Sequence, residues 1–246
     1  MKKIRVGIVN YLNTRPLLYG LQQAPFSDQI TLSLGYPAVI AAALKRGELD
    51  LGLVPVALLK EAPALQRVGS HCIATHGEIA SVCLFSEVPL DQIQTILLDY
   101  QSRTSVALTR ILVKHHWKLP IRLAETTGEA YLREIGDTTA GLIIGDRALA
   151  SRGKFAFCYD LGLAWREYTG LPFVFAAWLA AEPLSEDFLT AFNEANQKGL
   201  DRLQEVLDAI QTPVQYDLMQ YFTQNVAYQW QPEMEASLRL FLERAQ

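Results

Sequence analysis

The sequence predicts an α/β protein of two lobes, each with a mainly parallel sheet, around a central cleft. Short apolar runs rich in β-branched residues alternate with segments of helical spacing, which is the order that builds parallel sheets. This alternation occurs before and again after about residue 85. The length of 246 residues fits one large or two small domains.

The first half of the chain predicts strand, helix, strand, helix, strand. Pro16 and Pro37 stand at the expected first turns of the two helices, where the missing proline N–H costs nothing. Asn13 or Thr14 is the expected N-cap of the first helix. The strands are predicted from β-branched content and alternation at 3–9, 30–34 and 51–56.

The second half contains another set of such units and then a helical tail. Ser102 and Ser185 are expected N-caps, and both precede segments with helical spacing. The predicted strands are 81–86, 93–99, 121–125, 140–146 and 171–182. The predicted helices are 102–117, 128–136, 185–210 and 232–246.

The expected lobes are discontinuous. Lobe one would contain residues 1–85 and 177–246, and lobe two would contain residues 86–176. The chain would cross near Phe85–Ser86 and near Phe175–Trp178. Binding sites of open α/β sheets lie beyond the carboxyl ends of the strands, so residues at those ends become candidates.

The first candidate segment is "NYLNTRP". Asn10, Tyr11, Asn13 and Arg15 follow the first predicted strand, and the helix start behind them favours an anion. For any one of them a plain alternative exists, because Asn13 could only cap the helix and Arg15 could be a surface charge. Pro55 and Val56 end the third predicted strand and complete this candidate set.

The second candidate set follows strands of the other lobe. It consists of Ser81, Ser102, Arg103, Thr104, Ser105, Gly145 and Asp146. Hydroxyls and free N–H groups at a helix start can hold a carboxylate or phosphate, although an ordinary N-cap with a solvated Arg103 explains them too. Asp146 could contact a ligand or cap the next helix. One such junction per lobe suggests a ligand with two anionic groups.

Composition excludes several classes of function. Lys and Arg total 22 against 26 Asp and Glu, and no basic stripe occurs, so nucleic acid is not an expected partner. No apolar run is long enough for a membrane span or an export signal.

The sequence also lacks the motifs of several common sites. A zinc site is not expected, because the paired CxxC or HxxxH spacing is missing from His71, Cys72, His76 and Cys83. The sequence contains no P-loop, G-x-S-x-G or G-x-G-x-x-G motif, so the usual support for an NTPase, a hydrolase or a dinucleotide-binding protein is missing. Three scattered cysteines fit reduced thiols in the cytoplasm.

Six segments in this order resemble the MqnA branch of the MqnA/MqnD family, the chorismate dehydratases of the futalosine route to menaquinone. They are "VNYLNTRPL", "GELDLGLVPV", "SVCLFS", "LDYQSRTSVALTRILV", "LIIGDRAL" and "DLGLAWREYTGLPFVFAAW", and the resemblance spans about residues 4–180. It implies a type II periplasmic-binding-protein-like fold. It also implies conversion of chorismate to 3-[(1-carboxyvinyl)oxy]benzoate and water, without metal or organic cofactor.

The resemblance also implies roles for individual residues. Asn13 and Ser81 match the family's active-site Asn and Ser, and Ser102–Ser105 resembles its carboxylate cradle. Asn10 departs from the pattern, since many relatives would have Ser or another small or polar residue there. The proton acceptor would be the substrate's own side-chain carboxylate, oriented by Asn13 and Ser81, or else Asp146.

Other functions share this fold and remain open. A solute-binding protein for an aromatic or carboxylate ligand would be expected to carry an export sequence or a lipidation Cys. The related 1,4-dihydroxy-6-naphthoate synthase would need a histidine in the cleft, and none of the four histidines falls in a candidate segment. A ligand-sensing regulator would need a helix-turn-helix before the first strand. The sequence does not determine the oligomeric state.

Overall fold

The computed structural model describes residues 3–245 and divides the chain into two compact units. Unit 1 contains the chain up to Ala74, Val174–Thr212 and Asp217–Gln231. Unit 2 contains Thr75–Phe173, Pro213–Tyr216 and the chain from Pro232 onward. None of the helices in the described part is both long and apolar enough to span a membrane.

The strands and helices alternate through most of the chain. The strands are β1 Ile4–Val9, β2 Ile30–Gly35, β3 Leu51–Pro55, β4 Gln66–Thr75, β5 Val82–Ser86, β6 Thr95–Leu98, β7 Arg122–Glu125, β8 Thr139–Ile144, β9 Phe157–Asp160, β10 Phe173–Ala180 and β11 Ala227–Gln229. The helices are α1 Arg15–Leu21, α2 Pro37–Lys45, α3 Leu58–Glu61, α4 Arg103–Ile111, α5 Asp146–Ser151, α6 Leu161–Thr169, α7 Glu186–Leu200, α8 Leu203–Asp208, α9 Leu218–Gln220 and α10 Pro232–Arg244.

Unit 1 is built on a six-stranded sheet in the order β11-β4-β10-β3-β1-β2. β1 pairs in parallel with β2 and β3, whereas β10 runs antiparallel to β3 and β11 antiparallel to β4. Ile8 and Val9 of β1 point to opposite faces of the sheet and are both buried, as expected for a strand covered on both faces. The predicted α/β class is confirmed, with a mixed sheet.

Unit 2 is built on a five-stranded sheet in the order β7-β6-β8-β5-β9. β6 runs parallel to β7 and β8, and β5 runs antiparallel to β8 and β9. Because β5 is reversed, its amino end lies beside the carboxyl end of β8. Residues that precede β5 and residues that follow β8 therefore meet at one edge.

The division into units differs from the expected lobe boundaries. Unit 2 begins at Thr75 rather than near residue 86, because β5 is hydrogen-bonded into the five-stranded sheet. The last helix, expected in lobe one, belongs to unit 2. The Trp165 indole donates to Ser237 Oγ of α10 at 3.0 Å, and Phe241 packs edge-on against Phe173.

Several elements differ from the sequence prediction. The strands β4, β9 and β11 were not expected, and each pairs at a position far away in the chain. The predicted helix at 128–136 is a short 3₁₀ segment, Glu129–Arg133. The predicted helix 102–117 is α-helical only to Ile111 and continues as a π-helix through Trp117. Such differences arise because tertiary packing overrides local preference.

Two glycines allow α1 and α7 to pack backbone against backbone. A Cβ added at Gly20 would lie 1.8 Å from the Ala195 carbonyl oxygen, and one at Gly199 would lie 1.8 Å from the Pro16 carbonyl oxygen. Beside this crossing, Phe192 packs against Phe26 and Phe188. The position of α1, and of the polar segment just before it, is therefore set by this close contact.

A buried histidine makes the stability of unit 1 depend on pH. His71 is 2% exposed, and Gln229 Nε2 lies 2.9 Å from its Nε2, so the amide donates to a neutral ring. Burial lowers the pKa of His71 below its ordinary 6.5. Since the unfolded chain then binds the proton more tightly, the free energy of unfolding should fall as the pH drops below about 6.5.

Urea unfolding at pH 8, 6.5 and 5.5 measures this dependence. The His71→Gln variant should have a smaller decrease in the unfolding free energy across that range, because its side chain does not titrate. An identical decrease in both proteins would show that other groups cause it.

Candidate functional site

The predicted residues of unit 1 lie together at one edge of its sheet. β1, β2 and β3 run in the same direction, so Asn10, Tyr36 and Val56 follow three carboxyl ends. The Asn10 backbone N–H donates to the Gly35 carbonyl at 3.3 Å, and the Asn10 residue is exposed. Tyr11 is half-buried and begins the short 3₁₀ turn that leads to α1.

The expected capping of α1 by Asn13 or Thr14 does not occur through either side chain. Thr14 occupies the N-cap position, but its hydroxyl points back to two carbonyl acceptors. The Val9 carbonyl lies 2.5 Å away and the Tyr11 carbonyl 2.8 Å away. The buried Thr14 thus ties the turn back to β1 and leaves the Asn13 side chain out of the cap. The Tyr228 hydroxyl holds the Asn13 backbone by donating to its carbonyl at 2.8 Å.

Two buried polar atoms of this segment have no protein partner among residues 3–245. They are Asn13 Oδ1, which can accept a hydrogen bond, and Arg15 Nε, which can donate one. Buried polar groups are nearly always paired, and each unpaired group costs about 1–3 kcal/mol. An acceptor and a donor two residues apart, both unused by the protein, are what a polar ligand would need.

Pro55 and Val56 contribute backbone and packing rather than polar groups. Pro55 ends β3 opposite Ala176, and Val56 N–H donates to the Phe175 carbonyl at 3.1 Å. The Val56 side chain is completely buried. At the unit 1 edge, the side chains able to form hydrogen bonds therefore come from 10–15 and from the exposed Tyr36.

The predicted residues of unit 2 also meet at one edge of its sheet. The Gly145 N–H donates to the Ser81 carbonyl at 2.7 Å, which joins the residue before β5 to the residue after β8. Gly145 has φ 63° and ψ −146°, a conformation that favours glycine. Asp146 begins α5 and is half-buried, and Ser81 is 1% exposed.

The segment Ser102–Ser105 follows β6 at this same edge. Ser102 caps α4 as predicted, since its Oγ accepts from the Ser105 N–H at 3.2 Å and lies 3.0 Å from Ser105 Oγ. Thr104 and Ser105 are buried, while Arg103 is exposed. The cap orders the helix start, whose positive dipole end favours an anion.

Asp99 also lies at this edge and was not predicted from the sequence as a site residue. Its buried carboxylate accepts from the Gln101 N–H at 2.8 Å, the Tyr131 hydroxyl at 2.8 Å and Arg147 Nη2 at 2.7 Å. Burial raises the pKa of Asp99, while Arg147 acts in the opposite direction. The position of Asp99 directly after a buried strand could have drawn attention to it. It connects the α4 junction to α5.

A second buried carboxylate, Asp160, holds the turn that carries Ser81. Asp160 accepts from the N–H groups of Ile79 at 3.1 Å and Ala80 at 2.7 Å. It also caps α6 by accepting from Gly162 and Leu163. Burial raises the pKa of Asp160, and the backbone hydrogen bonds oppose that rise. Because Ala80 has φ 63°, the turn is strained and needs such support.

Asp160→Asn should therefore weaken the turn. Either orientation of the amide places an NH₂ group against a backbone N–H that the carboxylate now accepts. We expect a loss of about 1–3 kcal/mol in the free energy of unfolding, measured by urea denaturation. Asp208→Asn, at an exposed position of α8 in unit 1, is the matched control. Equal stability of the two variants would contradict this role.

Among residues 3–245, no group of three or more His, Cys, Asp or Glu is placed to hold a metal ion. At both edges, neutral and cationic side chains can form hydrogen bonds, and carboxylates lie nearby.

Comparison with solved structures shows the fold. A protein from Archaeoglobus fulgidus matches with a TM-score of 0.74 at 14% identity, covering 99% of this chain and 96% of that one. A Candida albicans protein with the generic periplasmic binding protein fold matches with a TM-score of 0.64 at 12% identity, covering 100% and 90%. The periplasmic aliphatic sulphonate binding protein of Escherichia coli matches at 0.66 and 15% identity, covering 99% and 91%. The predicted periplasmic-binding-protein-like fold is confirmed.

Comparison with sequences shows the family. The chorismate dehydratase of Thermus thermophilus is 29% identical over 265 residues, which cover 99% of this chain and 95% of that protein. A family model described as menaquinone biosynthesis matches residues 4–246, and the predicted resemblance is confirmed. The chain belongs to this menaquinone biosynthesis family.

Proposed function

We propose that this protein is a chorismate dehydratase, a hydro-lyase that converts chorismate to 3-[(1-carboxyvinyl)oxy]benzoate and water without a cofactor. The observation that carries the proposal is the similarity over almost the whole of both chains to the Thermus thermophilus enzyme of that activity. The family match over residues 4–246 supports it. The cytoplasm is the compartment we propose, since three scattered free cysteines fit a reducing environment.

The reaction requires little acid–base strength from the side chains of the protein. Chorismate has one carboxylate on its ring and one on its enolpyruvyl ether, and loss of the ring hydroxyl with the neighbouring ether-bearing C–H hydrogen makes the ring aromatic. The enzyme must hold a reactive conformer, exclude water and stabilise the departing hydroxyl. Hydrogen-bonding side chains are suited to these tasks.

In unit 1 we assign substrate contacts to the segment 10–15. Arg15 Nε is a buried donor without a protein acceptor in the described chain, and a substrate carboxylate is an acceptor that would satisfy it. Asn13 Oδ1 is a buried acceptor without a donor there, and a substrate hydroxyl would satisfy it. Asn10 and Tyr11, at the same strand ends, are further contacts in this proposal.

In unit 2 we assign substrate contacts to Ser81, Gly145 and Asp146 and to the α4 start. The N-terminal turn of α4 carries Arg103 and the buried Thr104 and Ser105. This combination of dipole, hydroxyls and guanidinium suits a carboxylate. Pro55 and Val56 would supply the apolar boundary of the unit 1 set.

The proton acceptor in the proposal is the substrate's own side-chain carboxylate, oriented by hydrogen bonds donated by the Asn13 amide NH₂ and the Ser81 hydroxyl. Amides and hydroxyls at the candidate positions, in place of His or Glu, support this assignment. Asp146 is the competing base. Asp146→Asn decides between them: a fall in kcat to background with an altered pH profile would favour Asp146, and retained kcat would favour the substrate carboxylate.

Purified protein incubated with chorismate tests the function directly. We expect loss of chorismate and growth of the aromatic product by chromatography and mass spectrometry, at the same rate in the presence of a chelator. Chorismate without protein is the control, since it decays slowly by itself. Tight binding of chorismate without turnover would replace the proposal with a solute-binding function.

A further inference from the structure

The sulfur atoms of two cysteines in unit 2, Cys83 and Cys158, lie close to the guanidinium of Arg152. Cys83 lies on β5 and Cys158 on β9, which are antiparallel neighbours. The register pairs Cys83 with Asp160 and Phe85 with Cys158, so both sulfurs project from one face of the sheet. Arg152 Nη1 lies 3.7 Å from Cys83 Sγ and 4.0 Å from Cys158 Sγ.

The two thiols differ in their surroundings. Cys83 is completely buried, whereas Cys158 is exposed. Cys83 Sγ lies 3.3 Å from the Ala80 carbonyl and 3.6 Å from Asp160 Oδ2. The neighbouring Cys83 thiol and the charge of Arg152 lower the pKa of Cys158, and Asp160 and Glu78 act in the opposite direction. Burial raises the pKa of Cys83. The exposed Cys158 sulfur therefore ionises more readily than the buried Cys83 sulfur, and the thiolate is the reactive form.

We propose that Cys158 is a site of thiol–disulfide exchange with low-molecular-weight disulfides, and that Cys83 and Arg152 activate it. The Cys158 thiolate attacks one sulfur of a disulfide RSSR. The S–S bond of the reagent breaks, a new S–S bond joins Cys158 to one RS group, and the other leaves as a thiolate that takes a proton from water. The Cys158 sulfur is oxidised and the departing sulfur is reduced, so the disulfide itself is the oxidant.

Modification of Cys158 is also expected to affect the turn that carries Ser81. Arg152 Nη1 donates to the Ala80 carbonyl at 3.4 Å, and Nη2 pairs with Glu78. An RS group on Cys158 occupies the space beside this guanidinium. We therefore expect the exchange to disturb the support of the turn described above.

Oxidised glutathione is the probe, and intact-protein mass spectrometry is the measurement. We expect one glutathionyl group per native chain, located at Cys158 by peptide mapping, with Cys72 and Cys83 unmodified because both are buried. The rate in the wild-type protein should reach half its maximum at a pH below about 8.5, the ordinary value for a cysteine. Arg152→Gln should slow labelling at neutral pH by about fivefold, and Arg110→Gln, which removes an exposed arginine of the same unit, should not.

Labelling that persists in Cys158→Ser, or a wild-type rate with the pH midpoint of an ordinary cysteine, would overturn the proposal. A second measurement tests the connection to Ser81 and rests on the proposed function. Fully labelled protein should lose chorismate turnover by at least about fivefold and regain it with dithiothreitol, while treated Cys158→Ser should not change. Complete labelling without loss would refute the connection. Unlabelled protein that never turns over chorismate would refute the function but leave the exchange result standing.

Discussion

Asn13→Ala is expected to lower kcat for chorismate by at least about a hundredfold, the usual effect of removing a preorganised hydrogen-bonding group that acts on the transition state. The free energy of unfolding should not fall and should rise if anything, because the variant removes a buried Oδ1 that makes no hydrogen bond to the described chain and Thr14 holds the turn instead. Turnover assays and urea denaturation of the same preparations measure the two effects.

Gln22→Ala is the matched control for this variant, since Gln22 is an exposed amide at the other end of α1. It should retain wild-type turnover. Ser81→Ala should also lose turnover if both residues orient the same substrate group. Wild-type activity in both Asn13→Ala and Ser81→Ala would end the assignment of the site, even if the protein remains a chorismate dehydratase.

Gly20→Ala should strongly destabilise unit 1. The new Cβ would meet the Ala195 carbonyl oxygen at 1.8 Å, and because that atom belongs to the backbone of α7, the helices would have to separate. Overpacking of this kind costs about 1–3 kcal/mol and occasionally more, and we expect at least about 3 kcal/mol here. Urea denaturation measures it, and Gly199→Ala, on the other helix, should behave alike.

Gly128→Ala is the control, because nothing lies within 4 Å of a Cβ at that position. Its unfolding free energy should stay within about 0.5 kcal/mol of the wild-type value. If Gly20→Ala were equally mild, the close approach of α1 and α7 would not be a determinant of stability.

The order of most elements could be predicted because their signals are local. Pro37 begins α2, and Ser102 and Ser185 cap α4 and α7 as expected. The α/β fold and the family also follow from the sequence. Residues 10–15 could be selected because polar side chains directly after a buried strand are visible in the sequence itself.

Other features depend on residues far apart in the chain and were not predicted. β4, β9 and β11 lack a clear pattern by themselves and are stabilised by their partners. Asp99 could have been noticed as an acidic residue after a strand. Its partners Tyr131 and Arg147 could not, since only the folded sheet brings them to it.

The sequence by itself determined most of the segments that become strands and helices and which polar residues follow those strands, because periodicity, proline and capping act over a few residues. Only the tertiary structure decided which of those residues meet. The reversal of β5 places Ser81 beside Gly145, and Asp160 supports the Ser81 turn from about eighty residues away. Such contacts depend on sheet order and register, which arise from the burial of the whole chain.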